Sequence, residues 1–453
     1  MKSISFFGAS GTVTGSCYQL NRSNKASLLI DYGMYQGTKE IESLNHVSIP
    51  YKPQELDGVL LTHAHLDHCG RLPVLLQHGF NKRIFMTEPT RDLLEITLHD
   101  AARIAEKDDK VIPLYTEDDV DVLMSFIEIV DYEQPFEVGG FTVSYHDAGH
   151  IIGSASLKIV DTRNDDDMKT VVFSGDVGKW PHDMLPNPYL FDQADVVVME
   201  STYGGRMHSD EDAQAVMSAE IQAIEANAGT LLIPCFAIER TQEVLYLIKQ
   251  LKDSGKIKAH TPVFLDSPMA IHVTEVYKRY GALFNDTFHK VMMTSDPYEF
   301  EGLHKLERNR QSHMIDKIVG PKIILAGSGM MSGGRILKHA RQYLPKESTR
   351  LLFVGYLGDE TIGRALSEGA DMVKIMDTHV QVRAHIEKID SLSAHADEGQ
   401  LLDWLRPVHG VKHVFLTHGE DEARDALNLK IQSEFGYSSI KKPHLNDEVL
   451  ISS

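Results

Sequence analysis

Leu61-Thr62-His63-Ala64-His65-Leu66-Asp67-His68 is the stretch on which the reading of this chain turns. It follows the apolar run Asp57-Gly58-Val59-Leu60-Leu61, which reads as a buried strand. It precedes Cys69-Gly70-Arg71-Leu72-Pro73-Val74-Leu75-Leu76, which reads as a loop entering a helix. Three histidines and an aspartate thus occupy a strand-to-helix turn. Neutral imidazole and carboxylate are ligands that divalent first-row metals prefer. In extended backbone His63 and His65 point the same way, because side chains alternate with period two. Asp67 and His68 then face a second position. One short loop can supply half the ligands of two neighbouring cations. A merely polar turn of solvated histidines is a poor account of such a dense cluster.

The chain has 453 residues, which sets an expectation of two domains. A hydrophobic content of 42% and an aromatic content of 8% fit an ordinary globular protein. Cys17, Cys69 and Cys235 are too widely spaced for a disulfide framework, and a reducing compartment, the cytoplasm, is expected. Cys69 beside His68 reads as a small buried residue, since histidine and aspartate already suffice as ligands. The N-terminal Met1-Lys2-Ser3-Ile4-Ser5-Phe6-Phe7 starts a strand and lacks a signal-peptide core. No apolar run approaches the roughly 20 residues that span a bilayer. The formal charge of −20 argues against a simple basic nucleic-acid surface. Cations and a local group of arginines and lysines can still hold phosphates on an acidic body.

Short apolar runs at Ser3–Phe7, Cys17–Leu20 and Ala26–Asp31 begin an antiparallel sheet. Residues 89–105 and Glu117–Val130 read as helices. Phe141–His146 reads as a strand, followed by Asp147-Ala148-Gly149-His150-Ile151-Ile152-Gly153-Ser154, which places His150 in a glycine-bracketed loop. Ala155–Val160 and Thr170–Phe173 form a hairpin around Asn164-Asp165-Asp166-Asp167, a solvated turn. Val171-Val172-Phe173-Ser174-Gly175-Asp176 ends a strand on a carboxylate whose two oxygens can bridge two cations. From about residue 205 helices alternate with short apolar strands, the signature of a parallel, doubly wound sheet. His395 is expected at a helix start with Ser393 as the cap. His418 is expected at a strand end.

The HxHxDH pattern at His63–His68 resembles the signature of the metallo-β-lactamase superfamily, and the later motifs narrow the resemblance to its β-CASP branch. It is similar to compact bacterial RNA-processing ribonucleases related to the polyadenylation-factor endonuclease. The resemblance implies an αββα sandwich with an inserted doubly wound α/β domain. The sandwich would take residues 1–204 and 387–453, and the insert residues 205–386. It implies His63, His65, His150 and Asp176 around one metal, and Asp67, His68, Asp176 and His418 around a second. Zn2+ is the expected pair of ions, with Mn2+ as the alternative. Asp31 is carried over as a residue that orients the metal loop. Asp67, Glu200 and His395 are carried over as catalytic, with His395 held by Glu200 as the proton donor. Histidine at position 418 marks RNA-acting members, so single-stranded RNA is the implied substrate.

Gly327-Ser328-Gly329-Met330-Met331-Ser332-Gly333-Gly334-Arg335 lies between an expected strand and helix. Converging amides at a helix N-terminus favour an anion. Tight strand–helix packing explains the glycines almost as well. The resemblance tips the reading towards RNA contact through Ser328, Gly329, Ser332, Gly333 and Arg335. Arg206, Arg240 and Arg364 are further phosphate candidates. Two other classes compete with an RNA phosphodiesterase. A small-molecule metallo-hydrolase would lack the insert and the Glu200/His395 pair, and a non-catalytic RNA-binding subunit would have lost metal ligands. Endonucleolytic and 5′-to-3′ exonucleolytic action, RNA preference and oligomeric state are left open by the sequence.

Overall fold

The computed structural model describes residues 1–22, 26–107, 112–162, 169–358, 360–437 and 439–451. The expected turn at 164–167 lies outside the described residues. The chain forms two compact units, one from Met1–Met207 with His395–Ser453, the other from His208–Ala394.

Two seven-stranded sheets build the first unit. One contains Ser3–Phe6, Tyr18–Asn21, Ser27–Ile30, Gly58–Leu60, Ile84–Met86, Ile127–Ile129 and Asp447–Leu450. The other contains Phe136–Val138, Phe141–Asp147, Ala155–Asp161, Thr170–Phe173, Val196–Glu200, His413–Thr417 and Ile440–Lys441. Period-two patterning decides which face each residue takes. Val171, Phe173, Val196, Val198 and Phe415 join Ile4, Phe6, Leu20, Leu28 and Ile30 in the core between the sheets. The intervening Val172, Val197, Met199, Val414 and Leu416 face outward onto Leu401, Trp404, Leu405, Leu427 and Ile431. Those residues lie on the helices Glu398–Leu405 and Asp421–Phe435. Over the first sheet the helix Glu88–Lys107 buries Leu93, Leu94 and Leu98. The layers are therefore helix, sheet, sheet, helix, as the resemblance implies.

Two sequence readings need correction here. The helix expected over Glu117–Val130 stops at Met124, and Ile127–Ile129 is an edge strand paired with Ile84–Met86. Ser125 closes the helix, its hydroxyl donating to the Val122 carbonyl at 2.7 Å, and Ile127–Ile129 takes the open edge of the sheet, with Glu128 and Ile129 exposed. The cap of the helix Glu398–Leu405 is Asp397, not Ser393. Asp397 accepts from the Gln400 N–H at 2.9 Å, while the Gln400 side chain accepts from the Asp397 N–H at 3.2 Å. His395 thus precedes the helix.

The second unit holds a six-stranded parallel sheet in the order Leu303–Lys305, Val263–Leu265, Lys322–Ala326, Thr230–Pro234, Thr349–Phe353, His385–Lys388. Three of these strands are fully buried runs, and Thr349–Phe353 is buried except at Arg350, as a parallel sheet covered on both faces requires. One face, with Leu232, Ile324, Leu351 and Phe353, packs on Ile336, Leu337 and Ala340 of the helix Arg335–Tyr343. The short edge strands Leu303–Lys305 and His385–Lys388 carry no apolar run in the sequence and are recognised only by their pairing.

Candidate metal centre

The centre is built where strands of the first unit end. Gly58–Leu60 lies parallel between Ser27–Ile30 and Ile84–Met86, and the chain leaves the sheet at Leu61. His63 and His65 lie in the extended exit, and Asp67 and His68 on the short helix Leu66–Cys69 that follows His65. His150 follows the strand Phe141–Asp147. Its turn is closed by Ser154 Oγ, which accepts from the N–H groups of His150 and Ile151 at 3.2 Å each. Asp176 follows Thr170–Phe173 through Gly175, which has φ +57° and leaves no room for a Cβ, only 2.9 Å from the Ala155 carbonyl oxygen. His418 ends His413–Thr417 in a left-handed conformation, φ +47°. Its N–H donates to the Ala9 carbonyl at 2.7 Å, which holds that turn.

These seven side chains converge in two groups. His63, His65, His150 and Asp176 form one, and Asp67, His68 and His418 the other. In the first, His65 Nδ1 lies 3.1 Å from His63 Nε2 and 3.2 Å from His150 Nε2. Asp176 Oδ2 lies 3.5 Å from His63 Nε2 and 3.6 Å from His150 Nε2. In the second, His418 Nε2 is 3.2 Å from His68 Nε2 and 3.3 Å from Asp67 Oδ2. Asp176 Oδ1 is 3.2 Å from His68 Nε2. The two oxygens of one carboxylate thus face the two groups.

The electrostatics follow from burial and from these neighbours. Burial first, and the neighbouring His68 second, hold His63 well below the ordinary imidazole range. Burial likewise lowers His65 to about 4. Both rings are therefore neutral, the form that binds a cation. Burial would also lower His68, but Asp176 and Asp31 outweigh it and raise it well above the ordinary value. His68 Nδ1 reaches Asp31 Oδ2 at 2.8 Å, which leaves Nε2 as the atom facing the group. Asp31 is fully buried and is itself fixed by the Thr62 N–H at 2.8 Å and the Thr62 hydroxyl at 2.9 Å.

The donor set fits a divalent cation. Asp176 Oδ1 is buried with no hydrogen bond of acceptable geometry. Imidazole nitrogens that converge at 3.1–3.2 Å beside two carboxylates are the donor types that a divalent first-row cation takes.

Glu200 and His395 stand beside these groups. Glu200 is buried, with Oε1 accepting from the Val177 N–H at 2.7 Å and Oε2 from the Thr202 N–H at 3.2 Å. Glu200 Oε1 lies 3.0 Å from His395 Nδ1. His395 Nε2 points the other way, 4.0 Å from Asp176 Oδ2. Burial alone would lower His395, but Glu200, Asp176 and Asp67 raise it to about 9. A backbone bridge from Gly178 to His395 fixes the segment.

The glycine-rich stretch lies in the second unit, between Lys322–Ala326 and Arg335–Tyr343. Ser328 Oγ is 3.2 Å from Ser332 Oγ and accepts from the Gly333 N–H at 3.2 Å. Gly329 is buried against Phe236, whose ring would lie 2.6 Å from an added Cβ. Arg335 Nη1 donates to Asp266 Oδ1 at 2.7 Å and to the Leu306 carbonyl at 2.9 Å, and Nη2 to the Glu307 carbonyl at 2.8 Å. Arg240 is buried and paired with Glu243, which removes it as a surface phosphate contact. Arg364 pairs with Glu368, while Arg206 is exposed. Thr62 and Thr202 are what sequence reasoning missed. Threonine is a common strand residue, and nothing in its spacing marks a hydroxyl that touches a ligand ring.

Comparison with known proteins agrees with this architecture. A model described as a beta-lactamase superfamily domain matches residues 41–234, a Beta-Casp domain residues 241–366, and a Zn-dependent metallo-hydrolase RNA specificity domain residues 379–443. The chain is 36% identical to Ribonuclease TTHA0252 of Thermus thermophilus, over 93% of this chain and 94% of that protein. It is 30% identical to an RNase J-like protein of Methanocaldococcus jannaschii, over 92% of each. It is 28% identical to Cleavage and polyadenylation specificity factor 73 of Drosophila melanogaster, over 94% of this chain and 61% of that protein. Among the described residues no helix is long and apolar enough to cross a membrane.

Proposed function

The chain belongs to the β-CASP branch of the metallo-β-lactamase superfamily, and on that premise we propose that it is a metal-dependent ribonuclease that hydrolyses phosphodiester bonds of single-stranded RNA. The observation that carries the reading is Asp176, whose two carboxylate oxygens face two separate histidine groups. His63, His65, His150 and Asp176 would hold one divalent cation, and Asp67, His68, Asp176 and His418 a second, with Zn2+ favoured over Mn2+ by the imidazole-rich set. Such cations supply Lewis acidity towards a phosphodiester and a water acidified to about neutral pKa.

The chain's own residues do the rest. Asp31 fixes the His68 ring through Nδ1. Glu200 fixes His395 and keeps a proton on it at neutral pH. His395 Nε2 delivers that proton to the departing 3′-oxygen, leaving 5′-phosphate and 3′-hydroxyl ends. Ser328, Gly329, Ser332, Gly333 and Arg335 of the inserted unit are the proposed contacts to the RNA backbone.

Cleavage of matched single-stranded RNA and DNA at one salt concentration tests the proposal, before chelation, after it, and after return of Zn2+ or Mn2+. The expected outcome is RNA cleavage that is lost with the cation and restored by it. Equal rates on RNA and DNA, or full activity in a cation-free protein, would refute it.

A further inference from the structure

Thr202 touches both halves of the centre. Its N–H donates to Glu200 Oε2 at 3.2 Å. Its hydroxyl lies 3.1 Å from His418 Nδ1 and 3.1 Å from the carbonyl oxygen of the same residue. The residue is buried, 6% exposed, so no bulk water competes for these contacts.

A hydroxyl has one proton to give and two lone pairs to receive with. When the Thr202 proton goes to the His418 carbonyl, the oxygen is left as an acceptor and His418 Nδ1 must be the donor. The ring then carries its proton on Nδ1. Its Nε2 presents a bare lone pair to Asp67 Oδ2 at 3.3 Å and His68 Nε2 at 3.2 Å. That tautomer is the one that can hold a cation through Nε2. The other tautomer would place an Nε2–H in the group and spend it on Asp67. Asp176 Oδ1, at 3.6 Å from His418 Nδ1, is out of hydrogen-bond reach, so among the described residues Thr202 is the hydrogen-bond partner of that nitrogen. The left-handed turn at His418 brings its own carbonyl within reach of the hydroxyl that receives its ring.

We propose that Thr202 is a positioning residue that selects the Nδ1–H tautomer of His418 and thereby prepares the second cation position. The proposal rests on the two-cation reading above. Thr62 offers an internal parallel: its hydroxyl donates to Asp31 Oδ2 at 2.9 Å and lies 3.1 Å from His63 Nδ1, the same arrangement at the first position.

Thr202→Val removes the hydroxyl at nearly constant shape, and Thr202→Ser keeps it. Nitrogen-detected NMR of 15N-histidine-labelled, cation-free protein reads the tautomer directly. His418 should be protonated at Nδ1 in the parent and in Thr202→Ser, and should shift towards Nε2–H in Thr202→Val. Zn2+ titration against a competing chelator should show the weaker of two sites weakened about 10–100-fold in Thr202→Val only, with the tighter site unchanged. An unchanged His418 tautomer in a folded Thr202→Val overturns the proposal, as does unchanged affinity at both sites. If Thr202→Val does not fold, Thr202→Ser and the parent still decide, since an Nε2–H tautomer in either overturns it. A parent that binds one Zn2+ or none refutes the two-cation reading, while the tautomer measurement still tests Thr202.

Discussion

Two clusters of polar residues follow strand ends in this molecule, and they are finished differently. In the first unit, imidazole nitrogens face one another at 3.1–3.2 Å and one oxygen of Asp176 accepts no hydrogen bond. In the second unit, Ser328 meets Ser332, Arg335 meets Asp266, and His339 Nε2 meets Asp266 Oδ2 at 2.7 Å. The first cluster converges metal-ligating side chains and leaves Asp176 Oδ1 without a hydrogen bond. The second is satisfied by its own chain except at His339 Nδ1. Buried polar groups left facing each other are costly, so a fold that keeps them points to a ligand. Polar groups that close on themselves serve the fold first.

The sharpest way to break this contrast is Asp176→Ala. If its oxygens serve both groups, elemental analysis should show the loss of more than one cation's worth of binding. Activity should fall further than the 10²–10⁴-fold or so that a general acid contributes. Loss of a single cation with the other bound normally would mean that Asp176 is not shared.

His395→Ala should cost about 10²–10⁴-fold in rate and keep both cations. The deficit should shrink on a nitrophenyl phosphodiester, whose leaving group needs no proton. The pH profile carries a sign. A donor works only while protonated, so rate should fall as pH rises through the His395 pKa, which its carboxylate neighbours raise. Glu200→Gln removes one of those carboxylates, so the alkaline limb should move to lower pH. A limb that stays in place would exclude Glu200 as the group that tunes His395.

Arg335→Ala has the smallest expected effect on chemistry and tests the second cluster. Its guanidinium is already engaged, and Asp266 is fully buried. Urea unfolding should show a loss of about 1.5–3 kcal/mol, the range for hydrogen bonds to charged groups. RNA affinity should weaken with cation content intact if the loop also holds phosphate. Weaker RNA binding at unchanged stability would identify a phosphate ligand alone, and lost stability at unchanged binding a structural anchor alone.

The legibility of these clusters in the sequence differs for the same physical reason. His63, His65, Asp67 and His68 lie within one turn, so their spacing alone suggests a cation. His150, Asp176 and His418 are isolated polar residues after apolar runs, and only the resemblance tied them to the loop. The helix expected through Val130 fails because Ser125 and the sheet edge override a run that suits either element. Arg240 reads as a surface cation, yet its helix buries it against Glu243.

By itself the sequence determined the alternation that sorts Val171 from Val172 and Val196 from Val197 between two cores, because side-chain direction along a strand is local geometry. It also determined the parallel character of the second unit's sheet, through short, mainly apolar runs separated by helices. Only the tertiary structure decided that His418, 350 residues after His68, brings its Nε2 within 3.2 Å of the His68 ring. Only there does the Thr202 hydroxyl meet His418 Nδ1. Hydrogen bonds are directional and short-ranged, so which ring nitrogen keeps its proton depends on atoms that sequence distance does not order.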